Sequence, residues 1–158
     1  MIRLREAVPG DEASLLALLR GLAEYERLTD RFRATEAGLA AALFGPAPAA
    51  QAVIAEEEGA ALGMAIWHRV FNSFACRTGY WLEDLFVRPE ARGRGIGRML
   101  LAELARRLAA EGGGQILWSV LDWNAPALGF YRGLGAEAEE DGWTRMRLRG
   151  EALARLTG

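Results

Sequence analysis

Between a strand-like run, Leu82 to Val87, and a helix-like stripe, Ile96 to Ala110, the chain places Arg92-Gly93-Arg94-Gly95-Ile96-Gly97-Arg98. A strand must here hand over to a helix across three alternating glycines, which commits the chain to an α/β arrangement. Glycine lets main-chain N–H groups turn toward a ligand with no Cβ in the way. The helix start adds unpaired donors and a positive dipole end. Together these make a seat for phosphate groups, here a pyrophosphate. A glycine-rich turn that only links strand to helix would fit the same residues in any α/β protein.

Two familiar phosphate loops are excluded. A Walker loop ends in Gly-Lys-Ser/Thr, and the chain has no lysine. The dinucleotide fingerprint Gly-x-Gly-x-x-Gly, started at Gly93, requires glycine at 98, where Arg98 stands. It also wants an acid about 20 positions on, and Gln115 to Ser119 contains none.

With 158 residues, 51% hydrophobic and 25% charged, the chain has the size and composition of one soluble globular domain, 1–158. The opening residues Met1 to Glu6 lack an apolar core of a signal peptide. No apolar run approaches the ~18 residues of a membrane span. One cysteine, Cys76, excludes an internal disulfide, so a cytoplasmic address is expected, with no membrane partner. The net charge of −2 lacks the basic excess that nucleic acid would want and suits a cationic small molecule.

The periodicities predict strands over Ile2 to Ala7, Gln51 to Glu56, Ala61 to Phe71, Thr78 to Val87, Gln115 to Leu121 and Trp143 to Arg149. Helices are expected after Gly10, from Thr35-Glu36 to Gly45, over Ile96 to Ala110 and over Ala125 to Leu134. Glu151 to Leu156 has room for one more helical turn. The order gives a mixed sheet with helices on both faces.

Two further clusters carry chemistry. Asn124 suits a helix N-cap, with Pro126 in the first turn. Tyr131 follows Asn124 by seven residues, about two turns along the same face, a spacing that by itself also fits a core aromatic. Glu83-Asp84 sits near the end of an apolar strand, where alternation puts the two carboxylates on opposite faces. One fits a solvated strand end. The other fits a cation site, because freeing an alkylamine's lone pair at pH 7 costs about 4–5 kcal/mol and a carboxylate can take the proton.

Arg92-x-x-Gly95-x-Gly97 resembles the acetyl-CoA signature of the GNAT superfamily of N-acetyltransferases. The resemblance widens through Leu22-Ala23-Glu24-Tyr25-Glu26, Trp81 to Val87, Val120 to Asn124 and Gly150-Glu151-Ala152, in order along nearly the whole chain. These look like the diamine acetyltransferases, the spermidine/spermine and thialysine group. The resemblance implies the GNAT fold: an α/β domain on a central mixed, mostly antiparallel sheet of six to seven strands. About four helices would flank that sheet, which splays between its two central strands.

The same resemblance implies roles. Acetyl-CoA is the co-substrate, with no metal. Leu85, Phe86 and Val87 would pair with pantetheine through the backbone, and an N–H there would polarise the thioester carbonyl. Arg92, Gly93, Arg94, Gly95, Ile96, Gly97 and Arg98 would hold the pyrophosphate, and Asn124, Ala125, Pro126 and Ala127 would line the rest of the groove. Tyr131 would be the general acid facing the coenzyme sulfur, a role suited to a tyrosine, neutral at pH 7. Tyr25, Glu26, Glu83 and Asp84 would form the amine site, with Glu83 accepting the proton. A homodimer is implied as well. The stretch Asn72 to Arg77 departs from the pattern, and a cationic Arg77 near the amine pocket would repel a polyamine. Acetyltransferases for amino acids, aminoglycosides or protein N-termini, and a CoA-binding sensor without turnover, remain alternatives. His68, the sole histidine, reads as structural for want of metal-ligand companions, and Cys76, with no nearby base, as unreactive.

Overall fold

The computed structural model describes residues 1–139, 142 and 144–156. They form two compact units, Met1–Leu121 and Asp122–Gly158. The first holds strands β1 (Arg3–Glu6), β2 (Gln51–Glu57), β3 (Ala60–Asn72), β4 (Arg77–Val87) and β5 (Ile116–Leu117), with helices α1 (Glu12–Tyr25), α2 (Glu36–Phe44) and α3 (Ile96–Ala110). Their order in the sheet is β1-β2-β3-β4-β5. The first three pairings are antiparallel and the last is parallel.

Local sequence explains the helices. Asp11 precedes α1, accepting the Val8 N–H at 2.8 Å and two bonds from Arg5 at 2.7 and 2.8 Å. Thr35 caps α2 by accepting the Gly38 N–H at 3.0 Å. Along α3, Ile96, Leu100, Leu104 and Leu108 recur at helical spacing and are buried. Each such side chain contributes about 1.5–3 kcal/mol on leaving water.

The sheet is covered on both faces. The α3 stripe packs on Val53, Ala55, Ala65, Trp67, Tyr80 and Leu82. Leu15, Leu18 and Leu43 of α1 and α2 pack on Ala52, Ile54, Met64, Ile66 and Phe86. The end of α3 is tied down by Glu111, which accepts the Tyr80 hydroxyl at 2.7 Å and two bonds from Arg69 at 2.9 and 2.8 Å. Arg69 and Tyr80 hold the Glu111 carboxyl down to about 2, and burial together with that bond pushes Tyr80 up to about 12.

Two features of β4 position the site. It pairs with β5 only at Tyr80↔Ile116 and Trp81↔Leu117. β5 ends at Leu117, so Leu82 to Val87 of β4 have no strand partner on that side among the described residues. On its other edge, β3 pairs Trp67 with Leu82 but Ile66 with Asp84, leaving Glu83 as an extra residue in a β-bulge.

The described residues carry five strands rather than six to seven. β5 is shorter than the expected Gln115 to Leu121. Of the expected last strand, Trp143 lies outside the described residues and 144–149 form none. The Arg-Met-Arg-Leu-Arg alternation there leaves Met146 and Leu148 exposed, so its apolar set has no face to cover. The second unit contains α4 (Ala125–Gly133) and α5 (Glu151–Ala154), both at the expected places.

Candidate active site

The bulge decides where the acids go. Before it, Tyr80 and Leu82 face the α3 layer; after it, Leu85 and Val87 take over that face and Phe86 turns to α1. One extra residue has reversed the strand's alternation. Asp84, opposite Ile66, therefore lies on the α1 face. Glu83 reaches His68 on β3, with 3.9 Å between Oε2 and Nε2. His68 follows Trp67, which faces α3, so it too belongs to the α1 side. The expectation that Glu83 and Asp84 point to opposite faces is thus corrected: the bulge breaks the period-2 rule on which it rested.

The carboxylates differ in surroundings. Glu83 is exposed and Asp84 half-buried. Burial, then the charges of Glu83 and Glu26, pushes the Asp84 carboxyl up to about 7. Burial also raises Glu26. Three acids close enough to repel favour a cation among them.

Tyr25 and Glu26 reach this place because α1 lies close on β4. A Cβ on Gly21 would meet the Phe86 ring at 3.0 Å, tighter than an ordinary contact, so glycine here favours that close approach. One turn later the Tyr25 ring stacks with Arg92, whose guanidinium carbon is 4.6 Å from its centroid. Arg92 Nε donates to the Val87 carbonyl at 3.1 Å. Tyr25, Glu26, Glu83, Asp84 and Arg92 thus gather around the bulged end of β4.

The glycine loop has the conformation that a phosphate seat needs. Gly93 and Gly95 have φ of 75° and 78°, and no heavy atom lies within 4 Å of where a Cβ would stand on either. Gly95 caps α3, so the N–H groups of Ile96, Gly97 and Arg98 in the first turn lack helical partners. These residues fit a pyrophosphate. Arg98 is exposed, Ile96 is buried, and Arg94 is held by Glu57 through two contacts at 2.9 and 2.8 Å. Arg92 and Arg94 are engaged by Val87, Tyr25 and Glu57, while the first-turn N–H groups of α3 have no helical partner.

Leu85 and Val87 are half-buried, and Phe86 is buried in the α1 core. No strand pairs with β4 past Trp81 on its β5 side among the described residues. Arg77 stands elsewhere: it begins β4 and lies next to Gly114 and Gln115, about 20 Å of strand away from Asp84. It does not line the acidic cluster, so the expected repulsion of a polyamine there has no structural basis. Cys76 is exposed in the turn before it.

In the second unit, Asn124 is buried and caps α4, accepting the Ala127 N–H at 3.3 Å. Ala125 and Pro126 form the exposed first turn, with Ala127 half-buried. Tyr131 is half-buried on the same helix, its ring 5.2 Å from that of Phe130. No group of three metal-binding side chains occurs among the described residues, and none of their helices is long and apolar enough to cross a membrane.

The model of the acetyltransferase (GNAT) family matches residues 15–136. The chain belongs to the GNAT acetyltransferase family. This GNAT protein is an acyltransferase by that membership, and its relatives agree. It is 36% identical to the thialysine N-epsilon-acetyltransferase of Bos taurus, over 99% of this chain and 98% of the relative. It is 28% identical to the L-ornithine N5-acetyltransferase NATA1 of Arabidopsis thaliana, over 96% and 86%. An integron cassette protein from the mobile metagenome of V. cholerae superposes with a TM-score of 0.81 at 25% identity, covering 99% of this chain and 97% of that one.

Sequence reasoning missed His68 as a neighbour of Glu83. The signal was faint: only the β3–β4 register and an uncounted bulge bring the two together.

Proposed function

We propose that this GNAT enzyme acetylates the terminal primary amine of a small cationic metabolite, a diamine, polyamine or thialysine-like amino acid, from acetyl-CoA. The observation that carries this reading is the bulge at Glu83, which sets Asp84 beside Glu26 and leaves Glu83 reachable from solvent. Three carboxylates and the Tyr25 ring recognise an ammonium on a short apolar chain. The names of two relatives, which specify the N-epsilon of thialysine and the N5 of ornithine, support a side-chain nitrogen as acceptor.

Acetyl-CoA supplies the activated acyl group as a thioester. Main-chain N–H groups of residues 93–98 hold its pyrophosphate, and the backbone of Leu85 to Val87 holds its pantetheine. Asn124 to Ala127 line the rest of that groove. Asp84 and Glu26 gather the ammonium, and Glu83 takes its proton. The freed amine attacks the thioester directly in a ternary complex, and Tyr131 donates to the departing thiolate. Positioning and two proton transfers supply the catalysis, with no covalent enzyme intermediate. The family match, 15–136, runs across both compact units and supports one catalytic domain. A homodimer in the cytoplasm belongs to this reading through resemblance alone, and light scattering measures the assembly.

The test is an assay of CoA thiol release with acetyl-CoA and, separately, thialysine, L-ornithine, putrescine and spermidine. Release with at least one is expected. Silence with all four, in protein that binds CoA by calorimetry, overturns the acceptor class.

A further inference from the structure

We propose that His68 relays the substrate's proton from Glu83 to water. The proposal rests on Glu83 as the proton acceptor and adds what happens to that proton next. The amine arrives as an ammonium with three N–H bonds and leaves as an amide with one. As the N–C bond forms and the C–S bond breaks, Tyr131 protonates the coenzyme thiolate, and one of the two lost protons restores Tyr131. The other must reach solvent before Glu83 can act again.

Among the described residues, His68 brings an imidazole against Glu83 on the more exposed side of the bulge, and an imidazole can carry a proton on either nitrogen. The other acids around the bulge, Asp84 and Glu26, lie deeper and hold cations rather than export protons. On β3, the Arg69 guanidinium is occupied by both oxygens of Glu111, so it does not compete for Glu83. Trp81 stands opposite His68 in the register and brings no charge.

The imidazole is oriented for the task. His68 Nδ1 lies 3.2 Å from the Arg69 carbonyl oxygen. A carbonyl only accepts, so the neutral ring keeps its proton on Nδ1 and turns the Nε2 lone pair toward Glu83. Two acceptors then face each other at 3.9 Å, an arrangement matched to one shared proton. That gap exceeds a hydrogen bond, and a small rotation of the half-solvated Glu83 side chain, 58% exposed, closes it. Glu83 takes the ammonium proton and passes it to Nε2. The resulting imidazolium donates from both nitrogens, to Arg69 O and to Glu83. Its 39% exposure lets it lose the proton to water, returning Glu83 as carboxylate and His68 as the neutral ring.

The chain has one histidine, so its ring is read without assignment. Nitrogen-15 NMR of the intact protein at high pH is expected to show the Nδ1-protonated tautomer; the Nε2-protonated tautomer overturns the relay. With thialysine and acetyl-CoA, His68→Gln is expected to lower kcat by about 10- to 100-fold while the KM for acetyl-CoA and the melting temperature stay put. Added imidazole is expected to restore turnover to His68→Ala and not to Glu83→Gln. A kcat within twofold of the parent for His68→Gln, or no rescue of His68→Ala, overturns the relay. Full turnover by Glu83→Gln overturns instead the reading of Glu83 as acceptor, and the relay with it.

Discussion

The guanidinium of Arg92 lies 4.6 Å from the centroid of Tyr25 and 5.8 Å from that of Phe86, while its Nε holds the Val87 carbonyl. The first residue of the coenzyme signature thus braces the end of α1 against β4. An exposed contact of this kind is worth about 0.5–1 kcal/mol. Arg92→Gln is therefore expected to weaken kcat/KM for the amine by roughly 2- to 5-fold, more than it changes acetyl-CoA affinity. Steady-state kinetics with each substrate varied in turn decides; an effect confined to acetyl-CoA would return the side chain to the phosphates.

Asp84 carries a pH signature. Its carboxyl is raised to about 7, first by burial and then by Glu83 and Glu26. A group that prefers its proton in the fold adds stability below its unfolded value and loses it as pH rises through the folded one. The protein without substrate is expected to lose stability between about pH 4 and 7 from this residue, and Asp84→Asn to remove the loss. After discounting for solvent, that is about 1–2 kcal/mol, or roughly 2–8 °C in Tm at pH 8, with little difference at pH 4. Parallel melting curves at the two pH values measure it, and equal shifts at both would contradict the assignment.

Gly95 separates backbone conformation from crowding. Its φ is 78° and no heavy atom lies within 4 Å of a Cβ there, so Gly95→Ala meets only the intrinsic cost of a left-handed residue, about 1–2 kcal/mol. The loop relieves that cost by rotating its amides. Titration calorimetry with CoA is expected to show at least a tenfold weaker association, with Tm lowered by only a few degrees. Unchanged affinity would mean that these amides do not hold the coenzyme.

Tyr131→Phe keeps the ring and removes the proton. Turnover is expected to fall by roughly 10²–10⁴, with CoA affinity preserved. Normal turnover would strip Tyr131 of its role as acid.

Much of this arrangement was legible beforehand. The leucines of α3 sit at helical spacing and fell where expected, as did the caps Thr35 and Asn124, because those signals are local. The glycine loop was legible for the same reason. The bulge was not: an extra residue in a strand leaves no trace in composition, and Leu82 and Phe86 look equivalent until the register shows them on different faces. The company of His68 follows from that register and shares its obscurity, whereas the distance of Arg77 from Asp84 follows from seven residues of one strand. The alternation from 144 to 149 misled because it implies a strand only when a partner covers one side.

Gly21, finally, couples evolution of the pocket to integrity of the scaffold. The helix that presents Tyr25 and Glu26 rests on Phe86 at a distance where a Cβ at position 21 would stand 3.0 Å from the ring. A methyl added there would make the Phe86 ring or α1 give by a few tenths of an ångström, so a mutation four residues before Tyr25 is expected to read, in a screen, as a change of substrate preference.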